Sequence, residues 1–230
     1  MKKFKYLVVN GCSYSAGANM YEDQTNIKEK TEKNRFSKLL SNKLNCQEIN
    51  LSKPGASNGR IFRTTFDWIQ NNKEKVDNTL FVIGITGLTR LDLFSNKSKE
   101  FITTTYLSDR KDILKELTES LGCSLNEFLN WRNFQIEYLM NQNTIRKHTE
   151  RECILLDNFV NGNVVFFNAI SSADVSIKSL KFLEFYNESE KRVVLDWQNI
   201  GIKNHSLHPN ESQHKDMSEN LFKFIKDNVL

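Results

Sequence analysis

Hydrophobic and polar positions alternate between two regimes along the chain. Short continuous apolar runs stand at "YLVV" (6–9), "TLFVIGIT" (79–86), "NVVFFNA" (163–169) and "RVVLDW" (192–197), with a weaker one at "CQEINLS" (46–52). Runs of this length bounded by Gly, Pro or Asn read as strands buried on both faces. Between them the apolar residues recur at helical spacing. "RFSKLLSNKL" (35–44) aligns Phe36, Leu39, Leu40 and Leu44, and "RIFRTTFDWIQNN" (60–72) aligns Ile61, Phe62, Thr65, Trp68 and Ile69. Met217, Leu221, Phe224 and Ile225 make one face of a C-terminal helix. Strand, helix, strand, helix, strand at this spacing predicts βαβ units and a parallel sheet covered on both faces. The expected architecture is α/β, a three-layer α/β/α sandwich with a sheet of about five strands.

The middle of the chain departs from that rhythm. From about 109 to 160 it reads as helix, with a stop at Gly122 and a capping box at Ser124 and Glu127. Phe128, Trp131, Phe134 and Tyr138 fall at helical spacing and are expected in the core. No linker separates this part, so residues 1–230 are expected to form one domain with a helical insertion or cap over 91–160.

Composition narrows the function. Of 230 residues, 39% are hydrophobic and 26% charged, enough for a packed core. The net charge of +4 is scattered among mixed-sign stretches such as "KEKTEKNR", a solvated face that argues against a nucleic-acid partner. Cys12, Cys46, Cys123 and Cys153 show no CxxC pair and no metal-ligand spacing, so reduced thiols in a cytoplasmic protein are expected and no metal site. No apolar run reaches the roughly 18 residues of a membrane span. "MKKFKYLVVNGC" has the outline of a lipoprotein signal. Its apolar core is interrupted by Lys5 and too short, so lipidation of Cys12 is not expected.

Four loops carry the candidate chemistry: "GCSYSAG" after the first strand, "KPGASNGR" after the second, "GITGLTR" after the third, and "HSLHPNESQH" before the last helix. In an open parallel sheet, ligands bind at the carboxyl ends of the strands. A serine in such a loop is by itself an ordinary turn residue, and "HPN" is an ordinary helix start. His205, His208 and His214 match no zinc pattern. Arg60 and Arg90 follow the second and third loops, where either suits a substrate carboxylate or phosphate as well as solvent.

In order and placement the four loops resemble the blocks of the SGNH, or GDSL-type, serine esterases and lipases, whose fold is flavodoxin-like. Gly11, Cys12, Ser13 and Gly17 match the first block with Cys in place of Asp, and Gly55 matches the second. Gly84-Ile85-Thr86-Gly87 stands where the third has G-x-N-D, and His205-Ser206-Leu207-His208-Pro209 where the fourth has D-x-x-H. The resemblance implies Ser13 as nucleophile and His208 as its base. The Ser13 and Gly55 N–H groups and Thr86, or nearby Asn58, become the oxyanion donors. Thr86 is shorter than the family's Asn, and His205 replaces the acid that would orient His208. Glu211, Asp196 or a backbone carbonyl are the other orienting groups, or the pair works as a dyad. The implied function is hydrolysis of an ester or O-acetyl group on a carbohydrate or small metabolite, without metal or cofactor, in a bacterial or phage protein. The alternative is a weak or inactive member of the same fold with a ligand-binding or structural role.

Overall fold

A computed structural model describes residues 3–21, 27–105, 111–139, 141–170, 173–187, 192–194 and 208–230. Strands β1 (Tyr6–Asn10), β2 (Gln47–Asn50), β3 (Thr79–Ile85) and β6 (Val164–Asn168) make a parallel sheet in the order β2-β1-β3-β6. Between β3 and β6 the chain forms β4 (Arg90–Phe94) and β5 (Phe101–Thr105). The helices are α1 (Ser13–Ala16), α2 (Ile27–Asn34), α3 (Phe36–Leu44), α4 (Asn58–Asn71), α5 (Lys111–Leu121), α6 (Leu125–Phe134), α7 (Gln142–Phe159) and α8 (Glu211–Asn228).

Strand periodicity divides the core in two. Leu7, Val9, Leu80, Val82, Val165 and Phe167 point to one face, where α3 and α8 cover them with Phe36, Leu40, Met217, Leu221 and Ile225. Val8, Phe81, Ile83, Ile85, Val164 and Phe166 point to the other, covered by Ile61, Phe62 and Ile69 of α4 and by Cys153 and Leu156 of α7. The result is the expected three-layer α/β/α arrangement, and each large apolar side chain so buried contributes about 1.5–3 kcal/mol.

The sheet has four strands among the described residues. Beyond β6 a fifth position is held only by a parallel bridge between Phe166 and Phe182. The run at 192–197 does not extend the sheet where it is described. Its residues 192–194 form β8 (Arg192–Val194), antiparallel to β7 (Phe185–Asn187). A short apolar run fixes the strand but not its partner.

The part expected as a helical insertion or cap, 91–160, opens with an antiparallel hairpin, β4 with β5. Hairpin and helices share a small cluster of Leu114, Leu117 and Phe128, with Ile102 and Trp131 against it. The capping box at Ser124 and Glu127 is present at the start of α6. The aromatic row is core only at its beginning: Phe128 is 4% exposed, whereas Phe134 and Tyr138 are 52% and 66% exposed. A π-helical turn over Gln135–Leu139 shifts the helical phase there. Helix α7 returns to the sheet. None of the described helices is long and apolar enough to cross a membrane.

Candidate active site

The order β2-β1-β3-β6 reverses its direction of growth between β1 and β3, so the crevice of an open α/β sheet lies there, at the strand C-termini. The loops after β1, β2 and β3 all border it. Asn10, the last residue of β1, is fully buried. Its Nδ2 lies 2.9 Å from the Ile61 carbonyl and from the Thr64 and Thr65 hydroxyls of α4. Its Oδ1 accepts the Gly11 N–H at 2.9 Å. The strand end is thereby locked before the chain turns. Gly11 is required sterically, because a Cβ there would lie 2.3 Å from Ser15 Oγ.

Ser13 opens the short helix α1, with Cys12 at the N-cap and Gly17 closing it in the left-handed conformation. Its side chain is 8% exposed. Among the described residues neither its Oγ nor its N–H makes a hydrogen bond; the first N–H groups of a helix have no intrahelical partner. Cys12 is a buried free thiol in the core of the α3/α8 face.

His208 precedes α8, whose N-cap Asn210 forms a capping box with Gln213. The half-buried imidazole packs edge-on against the Tyr14 ring, centroids 5.1 Å apart. The two ends of the chain thus meet at the residue that follows Ser13. Glu211 is engaged elsewhere: it accepts the Tyr21 hydroxyl at 2.9 Å and makes no hydrogen bond to His208. His205 and Asp196, the other expected orienting groups, lie outside the described residues. His214, one turn into α8, is a core residue. Its Nδ1 accepts the Phe36 N–H at 3.1 Å and its ring stacks on Phe36. Burial, with the Arg35 charge in support, pushes its pKa down to about 3. No cluster of three or more metal-ligating side chains occurs among the described residues.

The oxyanion donors expected from the second and third loops differ in state. Lys53, Pro54, Gly55 and Ala56 form a turn closed by Ala56 N–H to the Lys53 carbonyl at 3.0 Å, with Gly55 at φ +78°. Pro then Gly at the two central positions is the type II pattern, so backbone conformation demands this glycine. Within the fold nothing crowds this position, because a Cβ at Gly55 would meet nothing within 4 Å. Gly55 is exposed, and its N–H makes no hydrogen bond among the described residues.

Thr86 and Asn58, by contrast, are bound to each other. Asn58 Oδ1 accepts the Thr86 N–H at 2.8 Å, and Asn58 Nδ2 donates to the Thr86 carbonyl at 3.0 Å. This pair of bonds clamps the loop after β3 to the start of α4. The Thr86 hydroxyl is sealed from solvent and has no partner among the described residues. The Thr86 hydroxyl is thus closed to solvent, while Asn58 Nδ2 has one N–H engaged and keeps a second. The two arginines also hold backbone. Arg60 Nη1 donates to the Leu51 carbonyl and Arg90 Nη1 to the Ala56 carbonyl, each at 3.2 Å. Half-burial and the neighbouring Arg63 push the Arg60 pKa down.

Arg63 was not singled out by sequence. Its Nε and Nη2 bind Asp92 Oδ2 of β4 at 3.0 and 2.8 Å, and its guanidinium covers the Phe101 ring at 3.7 Å. The signal lay in the polar members of a hairpin strand, within the part expected as a helical insertion or cap. Beside it, between α4, β4 and α7, opens a cleft of about 380 Å³ whose wall includes Asn58 and Arg90.

Residues 17–120 match the model of a family described as a family of unknown function (DUF6071). No curated protein matches the chain. Among solved structures the chain is similar to the psychrotrophic esterase EstA from Pseudoalteromonas sp., at 12% identity and a TM-score of 0.49, with 97% of each chain covered. It is similar to TesA at 13% identity and a TM-score of 0.42, covering 96% of this chain and 98% of that one. A carbohydrate esterase aligns at 10% identity and a TM-score of 0.45, over 100% of this chain and 70% of its own.

Proposed function

We propose that the chain is a serine esterase, with Ser13 as nucleophile and His208 as general base and acid. The observation that supports it is the packing of His208 on Tyr14, which brings an imidazole from the far end of the chain beside the loop of Ser13. A serine whose Oγ and N–H make no hydrogen bond among the described residues is suited to attack and to receive the resulting charge. In this reading Ser13 Oγ adds to the ester carbonyl as His208 takes its proton. The oxyanion is met by the N–H groups of Ser13 and Gly55. The tetrahedral adduct expels the alcohol, which takes the proton from His208, and water then releases the acid from the acyl-enzyme by the same route. Side chains and water suffice for every step. Substrates of the class are esters or O-acetyl groups on a carbohydrate or small metabolite.

With the Thr86 hydroxyl sealed, the donor expected from the third loop is withheld, and the second Asn58 N–H is the candidate that remains. Loss of one such donor costs about 10²–10³ in rate, so turnover is expected to be slow. The same observation favours the second reading, a ligand-binding protein that has kept the fold and lost the reaction. A fluorophosphonate probe and p-nitrophenyl acetate separate the two. The esterase reading requires labelling at Ser13 and hydrolysis that Ser13→Ala lowers by at least about 10³-fold. Absent labelling, or equal rates for wild type and Ser13→Ala, would leave only the binding role.

A further inference from the structure

The cleft between α4, β4 and α7 is built like a small-molecule site, and its volume of about 380 Å³ falls within the range such pockets occupy. One wall is apolar: Phe62 and Phe66 of α4 face Leu88 and Ile145. The other carries charge. Arg63 lies in it, but its guanidinium is neutralised by Asp92, whose side chain is 7% exposed and which also accepts the Thr103 hydroxyl. Arg90 lies in it too and has no carboxylate partner among the described residues. Among the described residues its one hydrogen bond runs from Nη1 to the Ala56 carbonyl, and Nε and Nη2 have no partner there. That edge is the fork with which an arginine grips a carboxylate, as the same atoms of Arg63 grip Asp92. Glu152 of α7 also lines the cleft and is held only loosely, 3.9 Å from Arg151.

We propose that this cleft binds a small monocarboxylate carried on a six-membered ring. The uncompensated Arg90 calls for an anion. Glu152 in the same cleft opposes a second negative charge, which disfavours phosphate and dicarboxylates. The two phenylalanines and Leu88 call for a body with an apolar face. An aryl carboxylate and a sugar acid share this chemistry; the hydroxyls of a sugar acid would find acceptors in Glu152 and Thr149. The site goes beyond the esterase reading and does not depend on it, since neither Ser13 nor His208 lines the cleft.

Calorimetric titration of the full chain at low salt with phenylacetate and with glucuronate tests this. At least one is expected to bind with a Kd on the order of 1 mM or tighter. Binding of glucuronate alone identifies a sugar-acid site, and of phenylacetate alone an aryl-acid site. Arg90→Ala should weaken binding at least tenfold and Glu152→Gln should strengthen it. Because Arg90 also holds the Ala56 carbonyl, Ile145→Trp serves as a second variant: it fills the cleft from α7 and should abolish binding. Ser13→Ala should bind as wild type does, whatever its effect on hydrolysis. The proposal is overturned if neither acid binds, or if binding survives both Arg90→Ala and Ile145→Trp unchanged.

Discussion

The rim at Ser13 and the junction at Asn58 border the same crevice and are built on opposite terms. At the junction, polar groups are tied to backbone: Asn58 to Thr86 by two bonds, Arg60 to Leu51, Arg90 to Ala56. At the rim, Ser13 Oγ and N–H and the Gly55 N–H have no hydrogen bond among the described residues. A donor hydrogen already bonded within the fold is not free for a reacting carbonyl unless that bond is broken. On the proposed esterase reading, the difference puts scaffolding on the Asn58 side and chemistry on the Ser13 side. It also means that the two sides should respond in opposite ways to truncation.

The largest effect should come from breaking the clamp. Asn58→Ala leaves the N–H and C=O of a fully buried Thr86 unpaired. At about 1–3 kcal/mol for each, the loss of stability should be about 2–6 kcal/mol, read from urea unfolding with the slope unchanged. A loss under about 1 kcal/mol would mean that the clamp is not structural, and the contrast between the two sides would fail.

That clamp shows where reading the sequence stops. The strands at 6–9, 79–86 and 163–169 are legible because both of their faces are apolar, and the helices at 35–44 and 60–72 because each buries one stripe. The hairpin of β4 and β5 is not. Asp92 is a polar position whose reason is the partner Arg63, Arg90 one whose reason is the Ala56 carbonyl, and Ser and Lys residues fill the turn. The family pattern draws attention to Asn58 and Thr86 as donors to a substrate. That they bind each other is a fact of packing across 28 residues, and no local pattern records it. Gly55 is legible from the family pattern, and the positive φ of its turn gives the glycine a reason within the fold. The pairing of Ser13 with His208 comes from the family pattern alone, while the Tyr14 contact comes from the fold.

A second test concerns the two histidines near the start of α8. His208 lies at the rim, half-buried; His214 is sealed behind it with its Nδ1 bonded to Phe36 N–H. In the folded chain the His214 pKa is pushed down to about 3, whereas in the unfolded chain it returns to about 6.5. Below pH 6.5 the unfolded state takes up a proton that the folded state refuses. Stability is therefore full above about pH 6.5 and falls as the pH drops towards 3, by up to about 1.4 kcal/mol per pH unit from this residue. Between pH 6.5 and 5 the loss is about 2 kcal/mol. His214→Gln keeps an acceptor for the Phe36 N–H and does not titrate, so its stability should be flatter over that window. Parallel profiles for the two proteins would show that His214 is not the group responsible.

The smallest expected change is the most discriminating. Ser13→Ala removes a hydroxyl that bonds to nothing in the described structure, from the first position of a short helix where alanine is tolerated. If the rim is kept for chemistry, this substitution should leave unfolding free energy within about 0.5 kcal/mol of wild type while removing hydrolysis. A stability loss of about 1.5 kcal/mol or more would show that the hydroxyl holds the fold together, as Asn58 does. Ser13 would then belong with the scaffold, and the division between the two sides of the crevice would disappear. Unchanged stability together with unchanged hydrolysis would instead keep the division and move the chemistry away from Ser13.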